Sequence, residues 1–169
     1  NCTSEHSGQH GVHITNSSVQ ITNSTFRDNV ADGLYATGTG TPTITGNTFT
    51  DNDQYAARMD LAAISPLISN NTGTGNHINA FAFEGNVTSN QTWTSAPGFP
   101  IVLLSSVTVS NGVRLTITAG TVVKFSANTQ LLVYGTLDAN GIDGNRVVFT
   151  SLKDDTHDGD TNGDGTATA

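Results

Sequence analysis

The sequence repeats a short motif at a nearly constant interval. Three segments align, at residues 21–29, 44–52 and 68–76, and they read ITNSTFRDN, ITGNTFTDN and ISNNTGTGN. Their isoleucines lie 23 and 24 residues apart. Two apolar columns follow at nearly the same interval: Val12, Leu34 and Ala57, and, two residues further on, Ile14, Ala36 and Met59. Self-similarity at a period of about 20 to 50 residues is typical of a solenoid or propeller.

The interval and the residues within it exclude the commonest repeat folds. Leucine-rich repeats need a leucine skeleton that is missing here, and propeller blades need about 40 residues. A chain that winds once per repeat, with three short strands per turn, places each strand over its equivalent, about 4.8 Å away, in parallel ladders. The sequence therefore predicts an all-β fold, a parallel β-helix of about seven coils of roughly 22–24 residues.

The composition agrees with a turn-rich β structure. Hydrophobic residues make up 35% of the chain and charged residues only 12%, while Thr, Ser, Asn and 18 Gly fill the difference. Threonine favours pleated surfaces, and Asn and Gly favour tight or left-handed turns. The formal net charge is −8 and the six basic residues are scattered, which excludes a nucleic-acid partner. No apolar run approaches the roughly 20 residues of a membrane span.

The repeat also predicts which side chains stack. Ile21, Ile44 and Ile68 form one interior column, and Phe26 and Phe49 form another. Two corner columns contain polar residues: Asn1, Ser24, Asn47 and Asn71 in the first, and His6, Asn29, Asn52 and Asn76 in the second. We expect Asn to take the left-handed corner conformation and its amides to bond along the column. Acidic residues form a further expected column: Glu5, Asp28 and Asp51.

The chain divides into four regions within one structural domain. Coils of the Asn-Thr-Phe type occupy residues 1–90, and further short β-rich segments occupy 107–153. Residues 91–106 contain Pro97 and Pro100, so we predict a loop there that covers one face. Its Trp93 is expected to be a packing anchor, with a sugar-stacking surface as the alternative. Residues 154–169 form an acidic tail that resembles a calcium loop.

Several segments carry a family resemblance: LTITAGTVVKF at 115–125, GTLDA at 135–139, VVFTS at 147–151 and DTNGDG at 160–165. Together with the Asn-Thr-Phe coils, they resemble the pectin-lyase-like right-handed parallel β-helix repeats of large bacterial or archaeal surface proteins. The resemblance implies a right-handed coil and an extracellular or cell-surface location. It leaves the function open, because this superfamily includes lyases, hydrolases, adhesins and inert stalks.

The acidic tail contains the sharpest motif. Asp158, Asp160 and Asn162 stand at loop positions 1, 3 and 5, followed by Gly163 at position 6, as in the first half of an EF-hand loop. Position 12 is Ala169 where that loop has a bidentate Glu, so another carboxylate must complete the shell. We predict structural Ca²⁺ bound by six residues: Asp154, Asp155, Asp158, Asp160, Asn162 and Asp164. The alternative is a solvated acidic loop.

No catalytic centre is evident in the sequence. A lyase of this fold needs carboxylates and a basic residue on one strand face. Arg27 and Arg58 come closest, but the neighbouring Asp28, Asp51 and Asp60 form no convergent cluster. The five histidines share no face and are expected to be scattered surface residues: His6, His10, His13, His77 and His157.

The sequence suggests two kinds of glycan site. Sequons provide weak candidate attachment sites: Asn16, Asn23, Asn70, Asn86 and Asn90. Trp93, Tyr35 and Tyr55 are weak candidates for glycan contact. The function favoured by the sequence is an extracellular, calcium-stabilised structural module, a rod or filament segment that stacks end to end on axial neighbours, which are continuing coils or further copies. A polysaccharide-binding adhesin module is the alternative, and a polysaccharide lyase or hydrolase is a third interpretation.

Overall fold

The computed structural model describes residues 1–61 and 66–165, and in these residues the chain forms twenty strands. No helix in this part of the chain is long and apolar enough to cross a membrane. The strands are β1 Thr3–Glu5, β2 Val12–Thr15, β3 Gln20–Thr22, β4 Thr25–Arg27, β5 Leu34–Thr37, β6 Thr43–Thr45, β7 Thr48–Thr50, β8 Tyr55–Asp60, β9 Leu67–Ser69, β10 Thr72–Thr74, β11 Ile78–Glu84, β12 Asn86–Val87, β13 Gln91–Trp93, β14 Ile101–Leu103, β15 Val107–Val109, β16 Arg114–Ile117, β17 Val122–Phe125, β18 Leu131–Val133, β19 Thr136–Ala139 and β20 Val148–Ser151.

Every pair of these strands is parallel, and each strand pairs with its equivalent one coil later. One sheet runs the length of the solenoid in the order β2-β5-β8-β11-β14-β17-β20, and it is called the long sheet below. Four shorter sheets complete the cross-section: β1-β4-β7-β10, β3-β6-β9, β12-β15-β18 and β13-β16-β19. The seven strands of the long sheet make about six turns, close to the predicted seven, and the parallel β-helix is confirmed.

The predicted interior columns are present. Ile21 pairs with Ile44, and Ile44 pairs with Ile68 in the next coil. Phe26 lies over Phe49 with ring centroids 5.0 Å apart and 15° between the ring planes. The core is therefore a stack of like side chains, each one coil above the last.

The register of the first coil differs from the prediction by one residue. Glu5 pairs with Arg27, a step of 22, so Glu5 does not stack on Asp28 and the predicted acidic column is wrong at this coil. The connection between β2 and β3 covers residues 16–19 and is one residue shorter than the next one, at 38–42. As a result Glu5 forms an ion pair with Arg27 instead of facing a like charge.

The two polar corner columns are buried amide ladders. Asn29 Nδ2 donates to Asn52 Oδ1 at 2.7 Å, and Asn52 Nδ2 donates to Asn76 Oδ1 at 2.7 Å. In the other ladder Asn47 Nδ2 donates to Asn71 Oδ1 at 3.0 Å. The first-coil members of these ladders are Ser7 and Cys2, not His6 and Asn1 as predicted.

The left-handed conformation belongs to the residues just before the ladder residues, and this corrects the expectation that the stacked Asn would adopt it. Positive φ angles occur at His6, Asn23, Asp28, Asp51 and Asn70. Each of them turns the chain so that the next side chain points into the ladder. The corner thus uses two adjacent residues, one for the bend and one for the hydrogen bonds.

The predicted loop at 91–106 contains two strands, β13 and β14, so the loop prediction is wrong for these residues. Both prolines lie between the two strands, where no ladder hydrogen bond is required of them. Trp93 is fully buried against Phe83, with ring centroids 5.1 Å apart, and its Nε1 donates to Gln91 Oε1 at 3.0 Å. Trp93 is therefore a packing anchor, and glycan contact at this residue is excluded because its indole has no exposed surface.

Residues 152–165 leave the last coil and lie along the outer surface of the long sheet. This segment is called the strap. Asn79 N donates to Thr161 O at 2.9 Å, and Gly98 N donates to Asp158 Oδ1 at 2.9 Å. Leu152 packs on a small apolar cluster formed by outer-face residues of the long sheet, which includes Ile78, Ala80 and Val102. The strap therefore joins coils that are far apart in the sequence.

Candidate cation site and outer-face cluster

The strap gathers carboxylates into one small volume. One oxygen atom from each of Asp155, Asp160 and Asp164 lies within 4.8 Å of the other two. The loop is organised around Asp160, whose Oδ1 accepts from Gly163 N at 2.7 Å and from Asp164 N at 3.2 Å. Gly163 has a φ of +69°, the left-handed bend that the sequence motif anticipated.

Four oxygen atoms in the same loop are buried without a hydrogen-bond partner in the described residues: both carboxylate oxygens of Asp155, Oδ2 of Asp158 and Oδ1 of Asn162. Burial, together with the nearby Asp160 and Asp164, raises the pKa of Asp155 above its ordinary value. Oxygen atoms of this kind are the ligands that Ca²⁺ takes, six to eight at about 2.3–2.6 Å. The donor set fits a hard divalent cation.

Asp154 has a different role from the one predicted. Its carboxylate accepts from Thr150 Oγ1 at 2.5 Å, from Thr156 Oγ1 at 2.5 Å and from Thr156 N at 2.9 Å, and it contacts His157 Nδ1 at 3.0 Å. These hydrogen bonds hold the pKa of Asp154 well below its usual range. Asp154 therefore fixes the start of the strap, and it does not belong to the three-carboxylate group. The predicted position 12, Ala169, lies outside the described residues.

Sequence reasoning missed Lys124, which lies directly under the strap. Its ammonium group is fully buried and donates to Asp154 O at 2.8 Å, Gly159 O at 2.8 Å and Thr161 Oγ1 at 2.7 Å. The available signal was the run Val122-Val-Lys-Phe125. A lysine in a strand whose neighbours are all apolar indicates that both faces of that strand are covered.

A second group of polar and aromatic side chains lies on the exposed part of the long sheet, and it is called the outer-face cluster. Its members are His10, His13, Tyr35, Tyr55 and Arg58, with Asp32 beneath them. His13 stacks on Tyr35 with centroids 5.0 Å apart, and the Arg58 guanidinium lies 4.1 Å above the same ring. The stack follows the register, because His13 pairs with Tyr35 and Tyr35 with Arg58.

Asp32 organises this cluster from below. It is fully buried, and its carboxylate accepts from Arg58 Nε at 3.2 Å and from Tyr55 N at 3.2 Å. His10 Nδ1 lies 3.1 Å from Asp32 Oδ2, and burial holds the pKa of His10 below its ordinary value. The prediction that the histidines share no face is therefore wrong for His10 and His13, whose ring centroids are 5.8 Å apart. The turn between β1 and β2 carries His10 to the edge of the column.

The remaining predicted site residues lie apart from these two groups. All five candidate sequon asparagines are exposed: Asn16, Asn23, Asn70, Asn86 and Asn90. Arg27 pairs with Glu5 and Asp28 on the sheet β1-β4-β7-β10, whereas Arg58 lies on the long sheet. Arg58 is paired with Asp32 and lies 3.9 Å from Glu84. The two arginines considered for lyase chemistry thus serve separate ion pairs.

The comparison with protein families agrees with this architecture. The family described as "Right handed beta helix region" matches residues 1–147, so the chain belongs to the right-handed β-helix family. Searches of curated proteins and of solved structures each give no significant match. The family match defines the coiled scaffold, and the whole strap lies beyond the matched residues.

Proposed function

We propose that this chain is a structural β-helix module of an extracellular or cell-surface protein, a rod segment that stacks on axial neighbours and is stabilised by Ca²⁺ in the strap. One observation carries the proposal: the inward-facing apolar columns are open at the last coil. Val133 and Phe149 continue columns that are buried in the preceding coils, yet they are 41% and 43% exposed. A further coil is the surface that would cover them.

The backbone at both ends of the solenoid supports the same proposal. Among the described residues, strands β1, β2 and β3 form one edge and β18, β19 and β20 form the other, and no further strand pairs with either edge. Such edges pair with another strand unless they are blocked. Because every ladder is parallel, the first edge of one copy has the polarity needed to extend the last edge of another.

Association in solution tests the stacking. We expect the purified chain to form elongated, concentration-dependent assemblies in light scattering and negative-stain images. Phe149→Lys places a charge on the open end and should leave monomers. Leu67→Lys makes the same kind of change at an exposed apolar residue midway along the solenoid and should keep the assemblies. A wild-type chain that stays monomeric at all concentrations would contradict end-to-end stacking of copies.

Calorimetric titration tests the cation. We expect uptake of one Ca²⁺ per chain, with a dissociation constant of about 10⁻⁴–10⁻³ M, the range of extracellular modules. Asp155→Asn with Asp160→Asn should abolish the uptake, whereas Asp53→Asn, an exposed aspartate on another coil, should not change it. No uptake at millimolar calcium would remove Ca²⁺ from the proposal while leaving the stacking untouched.

Glycan binding is the second candidate function, and the outer-face cluster favours it. The rings of Tyr35 and Tyr55, two of the predicted contact residues, lie 4.1 and 5.9 Å from the Arg58 guanidinium. Half-buried aromatic rings beside a fixed arginine suit a sugar chain lying across the coils. A saturable glycan-array signal that Tyr35→Ala removes and Tyr134→Ala preserves would support it, since Tyr134 is an exposed tyrosine in another coil.

A further inference from the structure

Lys124 is the most deeply buried charge in the region under the strap. Its side chain lies on the outward side of β17, beside the outward-facing residues of the long sheet, and it is 0% exposed. An ammonium group has three N–H donors. All three are used within 2.8 Å, by Asp154 O, Gly159 O and Thr161 Oγ1, and all three acceptors belong to the strap.

The base of the strap is held by Leu152 N, which donates to Phe125 O, and by Thr150, which donates to Asp154. Further along the described strap, two other residues bond to the solenoid. Thr161 accepts from the Asn79 amide through its carbonyl, and its side chain accepts from Lys124; the residue is 2% exposed. Asp158 accepts from the Gly98 amide. These contacts come from β11, from the turn before β14 and, through Lys124, from β17, so the strap crosses several coils.

The charge balance explains why a lysine occupies this place. Four aspartates of the strap act on Lys124 and favour its charged form: Asp154, Asp158, Asp155 and Asp160. Burial acts in the opposite sense and lowers the pKa of Lys124. A buried charge is retained only when it is paired and hydrogen-bonded, and here the strap supplies both requirements.

We propose that Lys124 is the internal counter-ion that fastens the strap to the long sheet and so positions the cation-binding oxygens of the loop. The positioning role rests on the proposed calcium site; the fastening role does not. Without the ammonium group the strap carboxylates repel one another, and the carbonyls of Asp154 and Gly159 lose their donor. The strap then leaves the sheet while the coils beneath it keep their ladders.

Lys124→Met tests the fastening role, because methionine keeps much of the aliphatic stem and removes the charge. Lys153→Met is the matched control, an exposed lysine at the base of the strap. The readout is amide hydrogen exchange in calcium-free buffer at Asn79 and Gly98, whose amides donate to the strap. Phe81 N, which donates to Pro100 O in the adjoining ladder, reports the solenoid itself. Calcium titration of the same variants reports the positioning role.

In Lys124→Met we expect exchange at Asn79 and Gly98 to accelerate about tenfold or more, the loss typical of charged hydrogen bonds, with Phe81 unchanged. Calcium affinity should fall in the same variant and stay at the wild-type value in Lys153→Met. Unchanged exchange at Asn79 and Gly98 in Lys124→Met would refute the fastening role. Faster exchange in Lys124→Met, together with a wild-type chain that takes up no calcium, would keep the fastening role and refute only the cation site. Should Lys124→Met fail to fold, Thr161→Val removes one acceptor and gives the same comparison.

Discussion

Phe99 stacks on Phe49 although the two rings belong to different coils: Phe49 lies in strand β7 and Phe99 in the turn before β14. Their centroids are 6.2 Å apart with 9° between the ring planes. The strand register places Gly73, not a third phenylalanine, over Phe49. A Cβ atom on Gly73 would lie 2.5 Å from the ring of Phe99. The turn before β14 therefore supplies the aromatic ring that the repeat leaves out.

Gly73→Ala should destabilise the fold, because the new methyl group would meet Phe99 and the Asn79 side chain. We expect a loss of about 1–3 kcal/mol in the free energy of unfolding, as for other overpacked cores. Urea denaturation measures it. Gly8→Ala is the control, since nothing lies within 4 Å of its added Cβ, and it should change the free energy by less than about 0.5 kcal/mol. Equal effects of the two substitutions would contradict the Phe99 insertion.

Asn52→Ala should be costly for a different reason. The Asn52 amide donates to Phe26 O at 3.1 Å and to Asn76 Oδ1 at 2.7 Å, and it accepts from Asn29 Nδ2 at 2.7 Å. Each buried partner left unpaired costs about 1–3 kcal/mol, so we expect a total loss of about 2–5 kcal/mol by urea denaturation. Asn86→Ala, an exposed asparagine, should be nearly neutral. A small loss for Asn52→Ala would mean that the ladder contributes little to stability.

Arg58 and Asp32 should be coupled in a double-mutant cycle. Arg58→Ala leaves the buried Asp32 carboxylate without its main charged partner and should cost about 3–5 kcal/mol. Asp32→Asn removes the charge that needed pairing, so the double variant should recover part of the loss. Thermal or urea unfolding of the four proteins gives the coupling energy. Strictly additive losses would show that the ion pair does not organise the outer-face cluster.

The strap should respond to pH in opposite directions with and without calcium. The pKa of Asp155 is raised in the folded protein above its ordinary value of 3.8, so the folded state binds more protons than the unfolded state. Without metal, stability should therefore rise as pH falls through the folded pKa, in the window above 3.8. Calcium needs ionised carboxylates, so its affinity should fall over the same window.

Melting temperatures between neutral pH and about pH 4, measured in chelator and in calcium, test both directions. Asp155→Asn should flatten the calcium-free profile. The lowered pKa of Asp154 stabilises the fold above 3.8 and is lost only on stronger acidification, so it does not interfere in this window. Identical profiles for the wild type and Asp155→Asn would contradict the account.

The interior columns were predictable because a regular repeat is a regular distance in space. Ile21, Ile44 and Ile68 recur at nearly equal intervals, and the fold that remains once leucine-rich repeats and propellers are excluded places them over one another. A β-bulge between Ile78 and Phe81 interrupts this regularity in the long sheet. The first coil was misplaced by one residue because a turn length is set by local backbone geometry that side-chain identity does not reveal.

The residues of the candidate sites also differ in whether the sequence could reveal them. The acidic motif of the strap stood out in the sequence, because its ligand types follow one another within a single loop. Lys124, Asp32 and His10 did not, because their roles depend on segments that lie far away along the chain.

The sequence alone thus determined the coil, its period and its stacked core, since these follow from repetition between neighbouring coils. Only the tertiary structure decided where the strap lies, that it covers Lys124, and that Phe99 replaces a ring missing at Gly73. Those contacts join residues that share no repeat position, so no periodicity in the chain encodes them.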